Sequence, residues 1–186
     1  MTGTDLAPGL LIAMPQLADD NFARAVVLMI EHGEDGSFGL VINQPSPLRA
    51  SEMLDGLDMR WGGDAAAVVW SGGPVSPSTG WVLHAPVDGF PVGAGTTRIA
   101  PGVELSTSPE RLRELAARPP ERMRLLRGYA GWGPGQLVHE MAQGSWLVAD
   151  LDPAIVFDLD PEDMWRAAVA SLGINPDAVV TGRGVH

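Results

Sequence analysis

The chain has no cysteine and no lysine among its 186 residues. Without cysteine there are no disulfides, thiolate nucleophiles or iron–sulfur clusters, and few routes to structural zinc. Without lysine there is no Schiff-base chemistry and no Walker-type phosphate lysine. All twelve basic residues are arginines, which stay protonated and do not readily act as general bases. Apolar runs are short. None approaches the roughly 18 residues of a membrane span, and the opening residues MTGTDLAPGLLIAMPQL lack the basic stretch of a secretory signal. A cytoplasmic protein without membrane contact is therefore expected. Positive charge is also scarce, because 12 arginines against 23 carboxylates leave a net charge of −11. A like-charged duplex repels such a surface, so direct DNA binding is not expected.

What remains is an ordinary globular composition, 45% hydrophobic and 19% charged. A single domain over 1–186 is expected, with a possible subdivision near 107 and a frayed tail over 175–186. Strands are predicted at 9–15, 23–32 and 38–45, the last two joined by GEDGS as an antiparallel hairpin. Further strands are predicted at 65–75, 80–86, 96–106 (two short strands or a hairpin), 122–130, 145–151 and 154–159. Helices are predicted at 47–57, within TSPERLRELAARPP (107–120), at 134–144 and within DPEDMWRAAVASLG (160–173). Ser108 is placed to cap the second, with Pro109 at its first position. Asp160 and Pro161 open the last. Nine or so strands with about four helices, several strands hairpin-linked, give an α+β fold with a mixed sheet. The repeated DLDP, at 150–153 and 158–161, reads as a local device used twice.

The densest motif is GYAGWGPGQL, residues 128–137. It follows a strand and precedes a helix, so its glycines are read as a tight strand-to-helix turn. The spacing matches neither a dinucleotide fingerprint nor a P-loop. Tyr129 and Trp132 could floor a pocket there, with Gly135 and Gln136 at the helix start, where free N–H groups favour anions. The alternative is that the glycines serve positive φ and close packing and that Trp132 plugs the core. On the following helix, Leu137, Val138, Met141 and Ala142 are assigned to one side. Gln136, His139, Glu140 and Gln143 are assigned to the other. A His139–Glu140 pair could do acid–base work but has no evident nucleophile or third partner. Gly72, Gly73 and Pro74 of WSGGPVS could form a nest for an anion or a plain turn.

Asp150, Asp152, Asp158 and Asp160 fall in i, i+2 pairs suited to a hard cation, or to capping. Arg111, Arg113, Arg118, Arg122, Arg124 and Arg127 make a local basic segment. His32 and His84 stand alone in strands and are read as structural. No metal-binding set and no cofactor are expected.

The ordered set GLLIAMPQLADDNFARAVV, EHGEDGSFGLVINQP, SGGPV, LHAP, TSPERLREL and GYAGWGPGQLVHEMAQGSWL resembles the YqgE/AlgH-like family of bacterial proteins over roughly residues 9–150. Two positions depart from the family pattern: Gln44 replaces a commonly basic residue and Val138 a commonly acidic one. The resemblance implies a mixed, largely antiparallel sheet curled on itself and flanked by helices. It supplies no enzyme activity, and some members are labelled transcriptional regulators. The expectation is a non-catalytic binding or regulatory module for an unknown protein or small molecule, acting indirectly if it regulates transcription. Its surface would include Asn43, Gly72, Gly73, Pro74, Tyr129, Trp132, Gly135 and Gln136. The alternative is a metal-assisted hydrolase using His139 and Glu140.

Overall fold

A computed structural model describes residues 6–17 and 19–181. Ten strands form one sheet among these residues: β1 (Gly9–Ala13), β2 (Val26–Gly33), β3 (Gly36–Val41), β4 (Pro45–Arg49), β5 (Val68–Ser71), β6 (Val75–His84), β7 (Thr96–Ala100), β8 (Val103–Ser106), β9 (Met123–Trp132) and β10 (Trp146–Ala149). Six helices accompany them: α1 (Ala50–Asp55), α2 (Pro109–Ala117), α3 (Gln136–Ala142), α4 (Pro153–Phe157), α5 (Pro161–Ala170) and α6 (Pro176–Thr181).

The sheet runs β10-β1-β2-β3-β9-β6-β8-β7, with the β4–β5 pair attached to β9. Every described pairing is antiparallel except β5 with β9. The sheet curls into a half-barrel, as the family resemblance implies.

Both faces are covered, which is why β1 and the first half of β2 read as unbroken apolar runs rather than alternating ones. Leu10, Ile12, Leu28, Leu40, Leu83 and Leu126 pack on one face beneath Ile155 and Val156 of α4 and Met164, Trp165, Ala168 and Val169 of α5. On the opposite face Leu11, Val27, Met29 and Val41 meet Trp132, Trp146 and Leu137 of α3. Farther along, Val82 and Leu125 meet Ala50 and Leu54 of α1 and Leu115 and Ala116 of α2.

Three elements differ from the sequence expectation. Residues 154–157 of the stretch expected as a strand over 154–159 lie in helix α4, because the Asp152 side chain accepts from Ala154 N and Pro153 occupies the first turn. The second DLDP opens α5 the same way, with Asp160 at the N-cap position and Pro161 following, though the Asp160 side chain makes no capping bond. Pro45–Arg49 is a strand despite two prolines, tolerated because β4 pairs on one side only, with a register irregularity. The stretch expected to fray from 175 holds α6 through Thr181, and the rest of that tail lies outside the described residues.

Candidate functional site

The two glycine-rich motifs meet. Gly72 N donates to Arg127 O at 2.7 Å, and Val41 N donates to Gly72 O at 2.8 Å. Here β9 changes partner: Leu126 and Arg127 pair with β5, whereas Ala130 to Trp132 pair with β3. Strand β6 is irregular at the same level, between Val75 opposite Tyr129 and Gly80 opposite Arg127. The sheet therefore branches between Arg127 and Ala130, and two backbones cross there with no room for side chains. Gly73 (φ +145) and Gly128 (φ +77) are both left-handed. A Cβ on either would meet the other segment's backbone closer than 3.0 Å.

This corrects the reading of GYAGWGPGQL as one tight turn. Gly128 to Trp132 continue strand β9, and the turn is confined to Gly133–Gly135. Gly131 is not left-handed. Gly135 is (φ +73), at the N-cap position of α3.

Other predicted site residues are engaged within the fold. Asn43 Oδ1 accepts from Val26 N and its Nδ2 donates to Arg24 O, both at 2.9 Å. Gln44 donates to Asn21 O at 2.9 Å. Gln136 Oε1 accepts from Gly133 N at 3.0 Å, closing the turn. Tyr129 packs against Phe38, with ring centroids 5.0 Å apart. Trp132, 5% exposed, stacks on Phe22 and meets Trp146 edge-on. It is a core residue that also borders a shallow concavity among the Glu31, Glu34 and Asp35 carboxylates. Pro74 is exposed beside the crossing.

Helix α3 is rotated from its expected orientation. Glu140 Oε1 accepts from the indole N–H groups of Trp146 at 3.1 Å and Trp132 at 3.4 Å, and its Oε2 accepts from Gln136 at 3.0 Å. Two buried indole donors need an acceptor, so the inward stripe is Leu137, Glu140 and Met141, at i, i+3 and i+4. Val138 is left outside at 51% exposure. His139 points outward, with only Gln143 at 3.1 Å. The pair diverges rather than converging. Among the described residues no group of three or more histidines or carboxylates could hold a metal.

The basic segment is divided between two sides of the sheet. Arg111 lies over Phe90, while Arg124 lies over Trp70 and Arg122 pairs with Asp158. Burial holds the Arg124 guanidinium below its usual range, against the opposing pull of Asp158 and Asp160.

A polar group that the sequence reading did not assemble lies on β6, β7 and β8. His84, Thr96, Glu104 and Ser106 are all buried. His84 Nδ1 lies 2.8 Å from Ala85 O, which can only accept, so Nδ1 carries the proton. Nε2 then accepts from the Ser106 hydroxyl at 2.8 Å, and Ser106 accepts from Thr96 at 2.8 Å. His84 is thus not alone, and neither is His32, whose Nδ1 lies 2.6 Å from Ser37 Oγ. The Ser106–His84 sense matches a nucleophile and its base. Yet Ser106 is 1% exposed, and a substrate carbonyl cannot reach it in this conformation. Alternation could have flagged the group: Ser106 faces Val82 and Thr96 across the ladders, and His84 is two residues from Val82.

Ser106 also borders a cavity of about 530 Å³ between the sheet and the two helices α1 and α2. Val82, Leu125 and Arg127 contribute from the strands, Met53 and Leu57 from α1 and its end, and Leu112 from α2. Trp81 lines it too, and its indole donates to Gly128 O at 3.1 Å, tying the cavity wall to the glycine crossing.

A family model described as AlgH-like matches residues 10–177. A UPF0301 protein of Myxococcus xanthus is 42% identical, over 98% of this chain and 99% of its own length. One from Anaeromyxobacter dehalogenans is 40% identical, over 96% and 94%. The solution structure of the AlgH protein from Pseudomonas aeruginosa is similar at TM-score 0.78 and 39% identity, over 100% of this chain and 97% of that one. The crystal structure of protein DIP2367 from Corynebacterium diphtheriae is similar at TM-score 0.69 and 26% identity, over 87% and 84%.

Proposed function

The chain belongs to the AlgH-like family, and from that premise we propose that it is a non-catalytic binding module of the cytoplasm. It recognises a small molecule in the cavity beneath α1 and α2 and presents the result to a protein partner. One observation carries this reading. The residues that could do chemistry on α3 are bonded to one another or to the core, whereas a cavity of about 530 Å³ with a largely apolar lining lies open between sheet and helices. The partner face is assigned to exposed Pro74, Val75 and Gly131 beside the glycine crossing. Trp81 joins that crossing to the cavity wall. Any effect on transcription then passes through the partner.

The test is a thermal-shift screen of the full chain against common metabolites, repeated with Gly80→Leu. Gly80 lines the cavity, lies two residues from Val82 on the same face, and has nothing closer than 4.0 Å to an added Cβ. A cavity ligand raises the melting temperature of the wild type by mass action, and the leucine abolishes the rise. A rise that survives Gly80→Leu places binding elsewhere and refutes the assignment.

A further inference from the structure

Resting on that reading, we infer that the cavity takes a singly charged amphipathic anion, a carboxylate with an apolar body, whose charge is held by Arg127. The observation is an unpaired cation in an acidic protein. Carboxylates outnumber arginines 23 to 12. Even so, Arg127 makes no hydrogen bond, ion pair or ring contact through its side chain with a described residue. Arg49, Arg60 and Arg118 share that property but are exposed, whereas Arg127 is half-buried. An unpaired guanidinium lining a largely apolar cavity offers an anion a charge-assisted hydrogen bond.

The geometry directs this charge into the cavity. Arg127 and Leu125 alternate on one face of β9, and Leu125 is opposite Val82, itself opposite Ser106. These four side chains form a row on the cavity floor. Opposite Arg127 stands Gly80, which has no side chain to fill the space over the guanidinium. The roof is apolar, with Met53, Leu57 and Leu112 among its residues, and the methionine adapts to irregular shapes.

The lining also limits the ligand's charge. Glu52 of α1 borders the cavity and is exposed. Arg127 is the one cation among the lining residues, so the cavity matches at most a single negative charge. It does not suit the several charges of a nucleotide polyphosphate, for which no lysine is available anywhere in the chain.

The experiment is isothermal titration of the full chain with three probes: decanoate, decanol and acetate. Decanoate carries both tail and charge, decanol the tail alone, acetate the charge alone. The expected result is decanoate binding at least tenfold tighter than decanol, with no detectable acetate binding. Arg127→Met should bring decanoate down to the level of decanol and leave decanol unchanged. Gly80→Leu should weaken both. Equal binding of decanoate and decanol by the wild type overturns the anion assignment while the cavity stands as a binding site. A preference for decanoate that persists in Arg127→Met places the charge recognition elsewhere and overturns it too. Binding of neither tailed probe, or binding indifferent to Gly80→Leu, removes the cavity reading together with the inference.

Discussion

Gly128 offers the sharpest test of how the two glycine motifs are used. Substitution by alanine adds one methyl group at a left-handed residue, with φ +77. An L-residue there costs roughly 1–2 kcal/mol. The added Cβ would also lie closer than 3.0 Å to Gly73 O, a backbone atom held where β5, β9 and β3 meet. Neither segment can rotate away as a side chain would, so the crossing must open. Overpacking of this kind costs about 1–3 kcal/mol. The combined loss is on the order of 2–5 kcal/mol. For a chain of this size it lowers the melting temperature by roughly 2–4 °C per kcal/mol.

Gly131, three residues on in the same strand, supplies the control. It is not left-handed, and an added Cβ would meet nothing closer than the Tyr129 ring at 3.5 Å. Gly131→Ala should lie within about 1 kcal/mol of wild type on either side. Urea unfolding of both variants, followed by circular dichroism, reads the difference. A Gly128→Ala protein as stable as wild type, or a Gly131→Ala protein equally damaged, would refute the backbone-crossing explanation.

Four further outcomes are expected from the same denaturation assay. Trp132→Ala should cost about 3–5 kcal/mol, since it empties a buried indole site between Phe22 and Trp146; near-wild-type stability would mean Trp132 is not a core residue. Glu140→Ala should cost about 1–3 kcal/mol by leaving two indole donors without their acceptor. His139→Ala should stay within about 0.5 kcal/mol, and a reversal of the two would contradict the rotation of α3. Asn43→Ala should cost about 1–3 kcal/mol, because Val26 N is buried and loses its acceptor.

Much of the fold was legible because local chemistry agreed with tertiary structure. Alternating and continuous apolar runs mark β1, β2 and β3. Ser108 accepts from Arg111 N, as the capping pattern of α2 requires. Residues 154–159 are ambiguous in sequence because a run as short as AIVFDL fits either period, and the Asp152 cap with Pro153 decides for helix. The candidate site was legible only in its parts. GYAGW and SGGPV stand out by composition, but that they cross each other depends on β9 switching partners, which no local pattern records. Glu140 looked solvent-facing on a helical projection. Its acceptor role appears only once Trp132 and Trp146, from two different strands, are brought to it. Ser106, His84 and Thr96 come from three strands and share no motif. Arg127 is one of six clustered arginines, and its partial burial without a partner, where unpaired Arg118 is exposed, distinguishes it.

The most direct measurement is amide chemical-shift mapping of the isotope-labelled chain with a small molecule that stabilises it. Binding beneath α1 and α2 predicts the largest perturbations at Gly80, Val82, Ser106, Leu125 and Arg127, with Gly133 to Gln143 little changed. Perturbations concentrated at Gly133 to Gln143 instead would return the binding site to the turn and helix that follow β9, and would contradict the cavity as the seat of function.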